Sequence, residues 1–162
     1  MQIEPRYADD VRATTLRLAA QAALAVARVR RKVALTLVIT GDAALRKLNR
    51  DFLGIDAPTD VLSFPFQIGA GLRPRRTPGA RSETFAQREE YLGEVIISLA
   101  RAKAQAKIGG HALTDELRLL VIHGVLHLLG LDHGTTEEKQ RMWALQAKAL
   151  KKVGAWIEGP VE

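Results

Sequence analysis

The stretch VIHGVLHLLGLDHG, residues 121–134, constrains the fold most strongly. It holds three of the four histidines of the chain on an otherwise apolar background. Burying a charged group among apolar side chains is costly, so these imidazoles need a way to stay neutral. His123 and His127 are four residues apart, which places them one turn apart on the same face of an α-helix. The stretch therefore predicts a core helix that presents two imidazoles side by side.

The residues after this helix predict a third ligand for a metal ion. Gly130 marks the end of the helix, because glycine adopts the left-handed conformation that helix termination often requires. The chain can then turn back and bring His133 to the other two imidazoles. Three neutral imidazoles suit zinc better than the oxygen cages that calcium and magnesium prefer. Three protein ligands leave one coordination position open, as in catalytic zinc sites. We therefore predict one zinc ion per chain, bound by His123, His127 and His133.

The residue after the first histidine argues against proteolysis. Metzincin proteases share the histidine spacing, but they have a glutamate at that position to activate the water at the zinc. Here the position holds Gly124, which cannot accept a proton. Peptide hydrolysis is therefore disfavoured, although the histidine spacing resembles that of a protease.

The order of strand-like and helix-like segments predicts an α+β (layered α/β) fold. We expect a small mixed sheet of four to five strands with one antiparallel edge strand, packed against about five helices. Asp42 and Thr114 are the expected N-caps of two helices, and Pro65 indicates the edge strand. The expected strands span residues 2–5, 32–40, 60–64 and 91–99, and the expected helices span residues 9–30, 41–53, 100–109, 113–130 and 136–153.

A length of 162 residues favours a single domain over residues 1–162. Within it, residues 67–90 are rich in glycine, proline and arginine and predict a long exposed loop. No apolar run reaches the roughly 18 residues needed to cross a bilayer, and the first residues do not resemble a secretory signal. The chain has no cysteine, which is compatible with the cytoplasm. We expect a cytoplasmic protein with no membrane partner.

The formal net charge of +6 favours a polyanionic partner such as nucleic acid. Basic residues cluster at residues 28–32 and 73–81. Neither cluster is interleaved with aromatic residues, so the sequence does not indicate a platform for base stacking. We expect phosphates to be the main contacts of any bound nucleic acid.

Three sequence blocks resemble the YbeY family of bacterial rRNA maturation factors, which are metal-dependent endoribonucleases specific for single strands. HGVLHLLGLDH, residues 123–133, matches the family motif H-G-x-L-H-L-x-G-x-D-H at every fixed position, and LNRDFLGIDAPTDVLSFPF and LGEVIIS are family-like blocks at residues 48–66 and 92–98. The resemblance implies that the three histidines bind zinc and that His123 also takes part in catalysis. It further implies 3′-end processing of 16S rRNA, with rRNA and small-subunit components as partners and ribosomal proteins or assembly GTPases as further candidates.

One departure from the family concerns RNA contacts. Many relatives have Tyr-Arg-Gly where this chain has Phe52–Gly54, and Leu53 at the arginine position cannot stabilise a phosphate. Arginines elsewhere are the alternatives, and Ser63 is expected to face the cleft. The candidate RNA-binding residues are therefore Arg50, Ser63, Arg73, Arg75 and Arg76.

The general base is left open by the sequence. Asp132 lies next to a ligand, where it would either act in catalysis or orient a histidine and close the turn. Asp60 and Glu94 are expected to have structural roles, and Glu116 lies about 10.5 Å along the helix from the first ligand, too far to act directly. His111 is expected to be a surface loop residue, and Trp143 a core residue of the last helix.

Two further function classes remain as alternatives to an endoribonuclease. One is a ribosome-assembly factor that binds RNA or protein and uses zinc mainly to hold its fold. The other is a metallohydrolase of a different substrate. The basic clusters favour RNA-linked roles over the latter, and an open zinc position favours catalysis over a structural zinc.

Overall fold

A computed structural model describes residues 1–66 and 90–157. This part of the chain forms a four-stranded mixed sheet and five α-helices, as predicted for the α+β class. The elements in chain order are β1 (Gln2–Ile3), a short 3-10 helix (Pro5–Tyr7), α1 (Ala13–Val26), β2 (Val33–Thr40), α2 (Asp42–Leu53), β3 (Val61–Pro65), β4 (Glu90–Ser98), α3 (Leu99–Gly109), α4 (Leu113–Leu128) and α5 (Thr136–Lys152).

The predicted loop at residues 67–90 lies outside the described residues except at its end. Glu90, which we assigned to that loop, is the first residue of β4. The candidate RNA-binding residues Arg73, Arg75 and Arg76 also lie outside the described residues. None of the described helices is long and apolar enough to cross a membrane.

The sheet has the strand order β1-β2-β4-β3. The β1–β2 and β2–β4 pairs are parallel, whereas β3 runs antiparallel to β4 at the edge. Pro65 ends β3 and is paired with Gly93 of β4. Because β3 lies at the edge of the sheet, no second neighbouring strand needs the N–H that proline lacks. Gly93 has a φ of +132°, and a Cβ there would lie 2.1 Å from the carbonyl oxygen of Phe64. The antiparallel edge strand is confirmed, and it needs a glycine in its partner.

The strand residues alternate between two apolar layers. Val95 and Ile97 of β4 face the larger core formed with α1, α4 and α5. Ile96, between them, packs with Leu62 of β3 and Leu45 of α2 on the other face. Because successive strand residues point to opposite faces, α4 and α2 cover opposite sides of the sheet. Helix α4, which carries His123 and His127, therefore packs in the larger core.

The first helix is shorter than the predicted span of residues 9–30. It begins at Ala13, and the two aspartates before it form a turn. It ends at Val26, and the chain then turns at Arg28, which has a φ of +58°. The predicted span was wrong at both ends because it followed composition alone.

Both predicted N-caps were wrong by one or two residues. Gly41 is the N-cap of α2, and Asp42 is its first helical residue, where the carboxylate accepts a hydrogen bond from the Ser98 hydroxyl. Ala112 is the N-cap of α4, and Thr114 is an exposed residue of its first turn. Ser98 is the last residue of β4 and lies 56 residues from Asp42, so the local sequence around Asp42 does not reveal this hydrogen bond.

Candidate metal centre

Helix α4 holds two histidines at the edge of the larger core. Its residues Ile122, Val125 and Leu126 are fully buried, so the helix is fixed against the sheet by its apolar face. His123 and His127 are only partly buried, and their Nε2 atoms lie 3.1 Å apart. The predicted side-by-side arrangement of the two imidazoles is present.

The turn after α4 brings the third histidine to this pair. Gly130 has a φ of +80°, and the Leu131 N–H donates to the Leu126 carbonyl at 3.1 Å. The chain therefore reverses and places His133 with its ring centroid 5.2 Å from that of His127. One nitrogen from each of the three rings lies within 4.8 Å of the other two. These three side chains could hold one metal ion.

Two contacts orient the α4 imidazoles from behind. Nδ1 of His123 lies 3.1 Å from the amide oxygen of Gln146 on α5, and His127 is hydrogen-bonded to the backbone of Leu131. A hydrogen bond at one ring nitrogen fixes the tautomer and leaves the lone pair of the other nitrogen available to a metal. Both rings therefore point their Nε2 atoms toward the same position.

Burial keeps these two rings neutral. Burial, together with the charges of His123 and His133, lowers the pKa of His127 to about 4. Burial also lowers the pKa of His123, against the opposing effect of its hydrogen bond to Gln146. Metal binding requires deprotonated imidazoles, so the burial that is costly for a charged ring prepares these rings as ligands.

Gly124 allows α4 to approach the sheet closely. A Cβ at this position would lie 2.4 Å from Cγ1 of Val95 and 3.1 Å from Oγ of Ser63. The Ser63 hydroxyl donates to the Gly124 carbonyl at 3.1 Å. Ser63 therefore fixes the backbone next to the candidate ligand His123. It is not one of the described residues that line the cleft beside His123 and His133.

A cleft of about 390 Å³ opens beside His123 and His133. Asp60 lines it and brings a carboxylate to the histidines. That carboxylate accepts hydrogen bonds from the Val61 N–H and from Nε2 of Gln105, both at 2.8 Å. The structural role expected for Asp60 is seen in these contacts, and the same contacts hold its carboxylate in the cleft.

Asp132 is exposed and contacts the backbone of the third histidine. Its Oδ1 accepts a hydrogen bond from the His133 N–H at 2.8 Å. This bond lowers the pKa of Asp132. The contact matches the alternative in which Asp132 orients a ligand and closes the turn.

Arg50 lies away from the histidines. It is exposed on α2, which covers the opposite face of the sheet, and it pairs with Asp51 at 3.2 Å. With Arg46 and Lys47 it lines a separate basic depression of about 470 Å³. Lys139 is the one lysine or arginine among the described residues that line the histidine cleft.

Two residues differ from their sequence interpretation. Trp143, expected in the core, is half-buried and lines the histidine cleft, with Nζ of Lys139 4.4 Å from its ring centroid. His111, expected on the surface, has a side chain only 14% exposed and contacts the fully buried carboxylate of Glu116. The placement of Trp143 results from packing between elements that are distant in sequence, whereas His111 contacts a residue only five positions further along the chain.

Gln146 is a site residue that sequence reasoning missed, as are Lys139 and Gln105. It is 5% exposed and follows Met142 by four residues on α5, so it lies on the same buried stripe as that core residue. A polar side chain at a core-facing position needs a hydrogen-bond partner. That signal was present in the sequence, but it did not identify His123 as the partner.

Comparison with known proteins gives a consistent set of relatives. The family model described as Endoribonuclease YbeY matches residues 3–154. The chain is 40% identical to Endoribonuclease YbeY of Brevibacillus brevis, covering 83% of this chain and 82% of that protein. The corresponding protein of Moorella thermoacetica is 40% identical, with 87% and 86% covered, and that of Roseiflexus castenholzii is 39% identical, with 98% and 94% covered.

A solved structure supports the fold. The solution structure of TM1509 from Thermotoga maritima aligns with a TM-score of 0.55 over 94% of this chain and 87% of that one. The sequence identity is 22%, so this likeness concerns the fold.

Proposed function

This chain belongs to the endoribonuclease YbeY family, and on that premise we propose that it is a zinc-dependent endoribonuclease that cuts single-stranded RNA. The observation that carries the proposal is the convergence of one nitrogen from each of His123, His127 and His133 within 4.8 Å. These residues are the proposed ligands, and His123 is also proposed to act in catalysis because it lines the cleft.

The three histidines fit a zinc ion. Zinc–nitrogen bonds of about 2.0–2.1 Å in a tetrahedral site place two ligand nitrogens about 3.3 Å apart. The Nε2 atoms of His123 and His127 are 3.1 Å apart, close to that separation. Imidazole nitrogen is a preferred zinc ligand. When bound, zinc would supply a Lewis acid that polarises a phosphoryl oxygen and lowers the pKa of water.

The residues of the chain have separate proposed tasks around this centre. Gln146 holds the orientation of His123, and Asp132 holds the backbone at His133, which makes Asp132 a positioning residue in this account. Asp60 presents a fixed carboxylate to the cleft. Lys139 lines the same cleft, and its charge would offset the negative charge of a bound phosphate.

We place the activity in maturation of the 3′ end of 16S rRNA, with rRNA and small-subunit components as partners and the cytoplasm as its location. The net charge of +6 supports a polyanionic substrate. Zinc remains the proposed metal on the basis of the imidazole donors. Arg50, Arg73, Arg75 and Arg76 remain candidates for contacts to RNA that extends beyond the cleft, and Ser63 is proposed to support the ligand helix.

The test is cleavage of a single-stranded fragment from the 3′ end of 16S rRNA by purified full-length protein with verified zinc content. Wild-type protein should cut this fragment and leave the same fragment intact when it is annealed to its complement. His123→Ala should lose cleavage, whereas Gln140→Ala, an exposed residue on α5, should retain it. Equal cleavage by wild type and His123→Ala would overturn the catalytic assignment.

A further inference from the structure

A second depression adjoins the histidine cleft. It has a volume of about 410 Å³, within the roughly 300–1,000 Å³ typical of ligand sites. It lies between α5 and the segment that follows it, with Trp143, Gln146, Leu150, Lys151, Trp156 and Ile157 among its lining residues. We call this depression the tryptophan groove. Trp143 and Gln146 also line the histidine cleft, so these two side chains form a wall common to both depressions.

The groove ends in an exposed tryptophan whose backbone is anchored. Trp156 is 83% exposed, an unusual state for so large an aromatic side chain. The preceding residue, Ala155, is buried, and its N–H donates to the Leu150 carbonyl at 3.0 Å. Gly154, with a φ of +67°, allows the chain to turn back at the end of α5. Trp156 therefore projects from a fixed position beside the groove.

The chemistry of the groove suits a nucleobase with a phosphate on each side. An indole ring stacks on any base through its π face. Lys151 lines the groove and Lys139 lines the adjoining cleft, so each of the two depressions carries a positive charge. In single-stranded RNA the bases are free to unstack and bind aromatic side chains, whereas in a duplex they are not.

We propose that the tryptophan groove binds an unstacked base of a single-stranded RNA whose neighbouring phosphodiester lies at the histidines, with Trp156 as the stacking residue and Lys151 as a phosphate contact. The inference rests on the proposed endoribonuclease function. The basic clusters of the sequence do not indicate an aromatic platform for bases; in this proposal the platform comes from two tryptophans that line one groove because the chain turns back after α5. It also gives a physical basis for a preference for single strands.

The test measures binding of a short, end-labelled single-stranded RNA by fluorescence anisotropy in EDTA, so that no metal-dependent cleavage occurs. Trp156→Ala should weaken binding by about 5- to 150-fold, the range for loss of one base stack. Trp156→Phe, which keeps an aromatic face, should bind within a few-fold of wild type. Ile108→Ala removes another exposed apolar side chain, 87% exposed on α3, and should bind like wild type.

An abasic oligonucleotide of the same length separates base stacking from backbone contact. Wild type and Trp156→Ala should bind it with equal affinity, whereas Lys151→Gln should weaken binding of both oligonucleotides. The proposal is overturned if Trp156→Ala binds intact RNA like wild type, or if it weakens binding of both oligonucleotides equally. The first result would leave the groove to a protein partner or to another segment of the chain.

The same proteins distinguish failure of the groove from failure of the nuclease. If wild type shows the Trp156-dependent preference for intact RNA but cuts no RNA with zinc bound, the groove assignment stands and the nuclease proposal fails. If Trp156→Ala binds and cuts RNA like wild type, the nuclease proposal stands and the groove assignment fails.

Discussion

The amide oxygen of Gln146 lies 3.1 Å from Nδ1 of His123, so a residue of α5 orients a candidate metal ligand on α4. Contacts of this kind fix both the tautomer and the direction of the ring. The two helices therefore build the candidate centre together, although the three candidate ligands lie within eleven consecutive residues, 123–133.

Replacing Gln146 should weaken zinc binding without unfolding the protein. Gln146→Ala should lower zinc affinity by about 10- to 100-fold, as for other residues that support a ligand. Gln146→Glu keeps an oxygen acceptor and should retain most of the affinity. Gln140→Ala is the control, because Gln140 is exposed on the same helix. Competition with a chromophoric chelator measures the affinities, and an unchanged value for Gln146→Ala would contradict the orienting role.

Gly124→Ala should destabilise the protein although alanine favours helix formation by about 1 kcal/mol. The added Cβ would lie 2.4 Å from Cγ1 of the buried Val95, and overpacking of this kind costs about 1–3 kcal/mol. Urea denaturation measures the free energy of unfolding. In a Val95→Ala background the same substitution should cost less, and a cost independent of Val95 would show that the contact is not its cause.

Gly134→Ala is the matched control for that substitution. The nearest atom to its added Cβ is Oε2 of Glu138 at 3.6 Å, an ordinary contact. Its effect should stay within about 0.5 kcal/mol, as is usual for surface substitutions.

Metal-free protein should lose stability as the pH falls from about 6.5 toward 4. The folded pKa of His127, about 4, is below the ordinary histidine pKa of about 6.5, so the unfolded chain binds more protons in this window. Stability therefore rises with pH there and is fully present above pH 6.5, with His127 contributing at most about 3 kcal/mol.

The measurement for His127 is the urea midpoint of EDTA-treated protein between pH 4 and 7.5. His127→Asn should show a shallower pH dependence than wild type. Burial raises the pKa of Glu116, so the contribution of Glu116 to stability falls as the pH rises, opposite to that of His127. Because both proteins contain Glu116, its contribution cancels in the comparison. Parallel curves for the two proteins would exclude His127 as the source.

His111→Ala should destabilise the protein by about 1–3 kcal/mol, the cost of leaving a buried polar group without its partner. Its ring contacts the carboxylate of Glu116, which is fully buried. In a Glu116→Leu background the same substitution should cost little, because the carboxylate is then absent. Thermal or urea unfolding of the four proteins measures this coupling, and a single-variant effect within about 0.5 kcal/mol would support the surface role that the sequence indicated.

The sequence predicted those parts of the molecule that depend on local spacing. His123, His127 and Gly130 define a helix face and its end within one short stretch, and the structure has them in that arrangement. Pro65 likewise indicated the antiparallel edge strand from a single chemical property, its missing N–H.

The remaining features depend on contacts between distant elements. The absent carboxylate at Gly124 was visible in the sequence, but its packing against Val95 was not. Gln146 and Trp143 join the centre because α5 packs along α4. Hydrophobic periodicity assigns such residues to a buried or exposed face, but it does not say which residues they contact.

The most direct test of the central claim is a zinc titration of EDTA-treated protein with cleavage of single-stranded RNA measured at each step. The account predicts that cleavage rises from background to a plateau at one zinc ion per chain, and that His123→Ala shows no rise. Full cleavage by the metal-free protein, or the same titration curve for His123→Ala, would contradict a catalytic centre built from these three histidines.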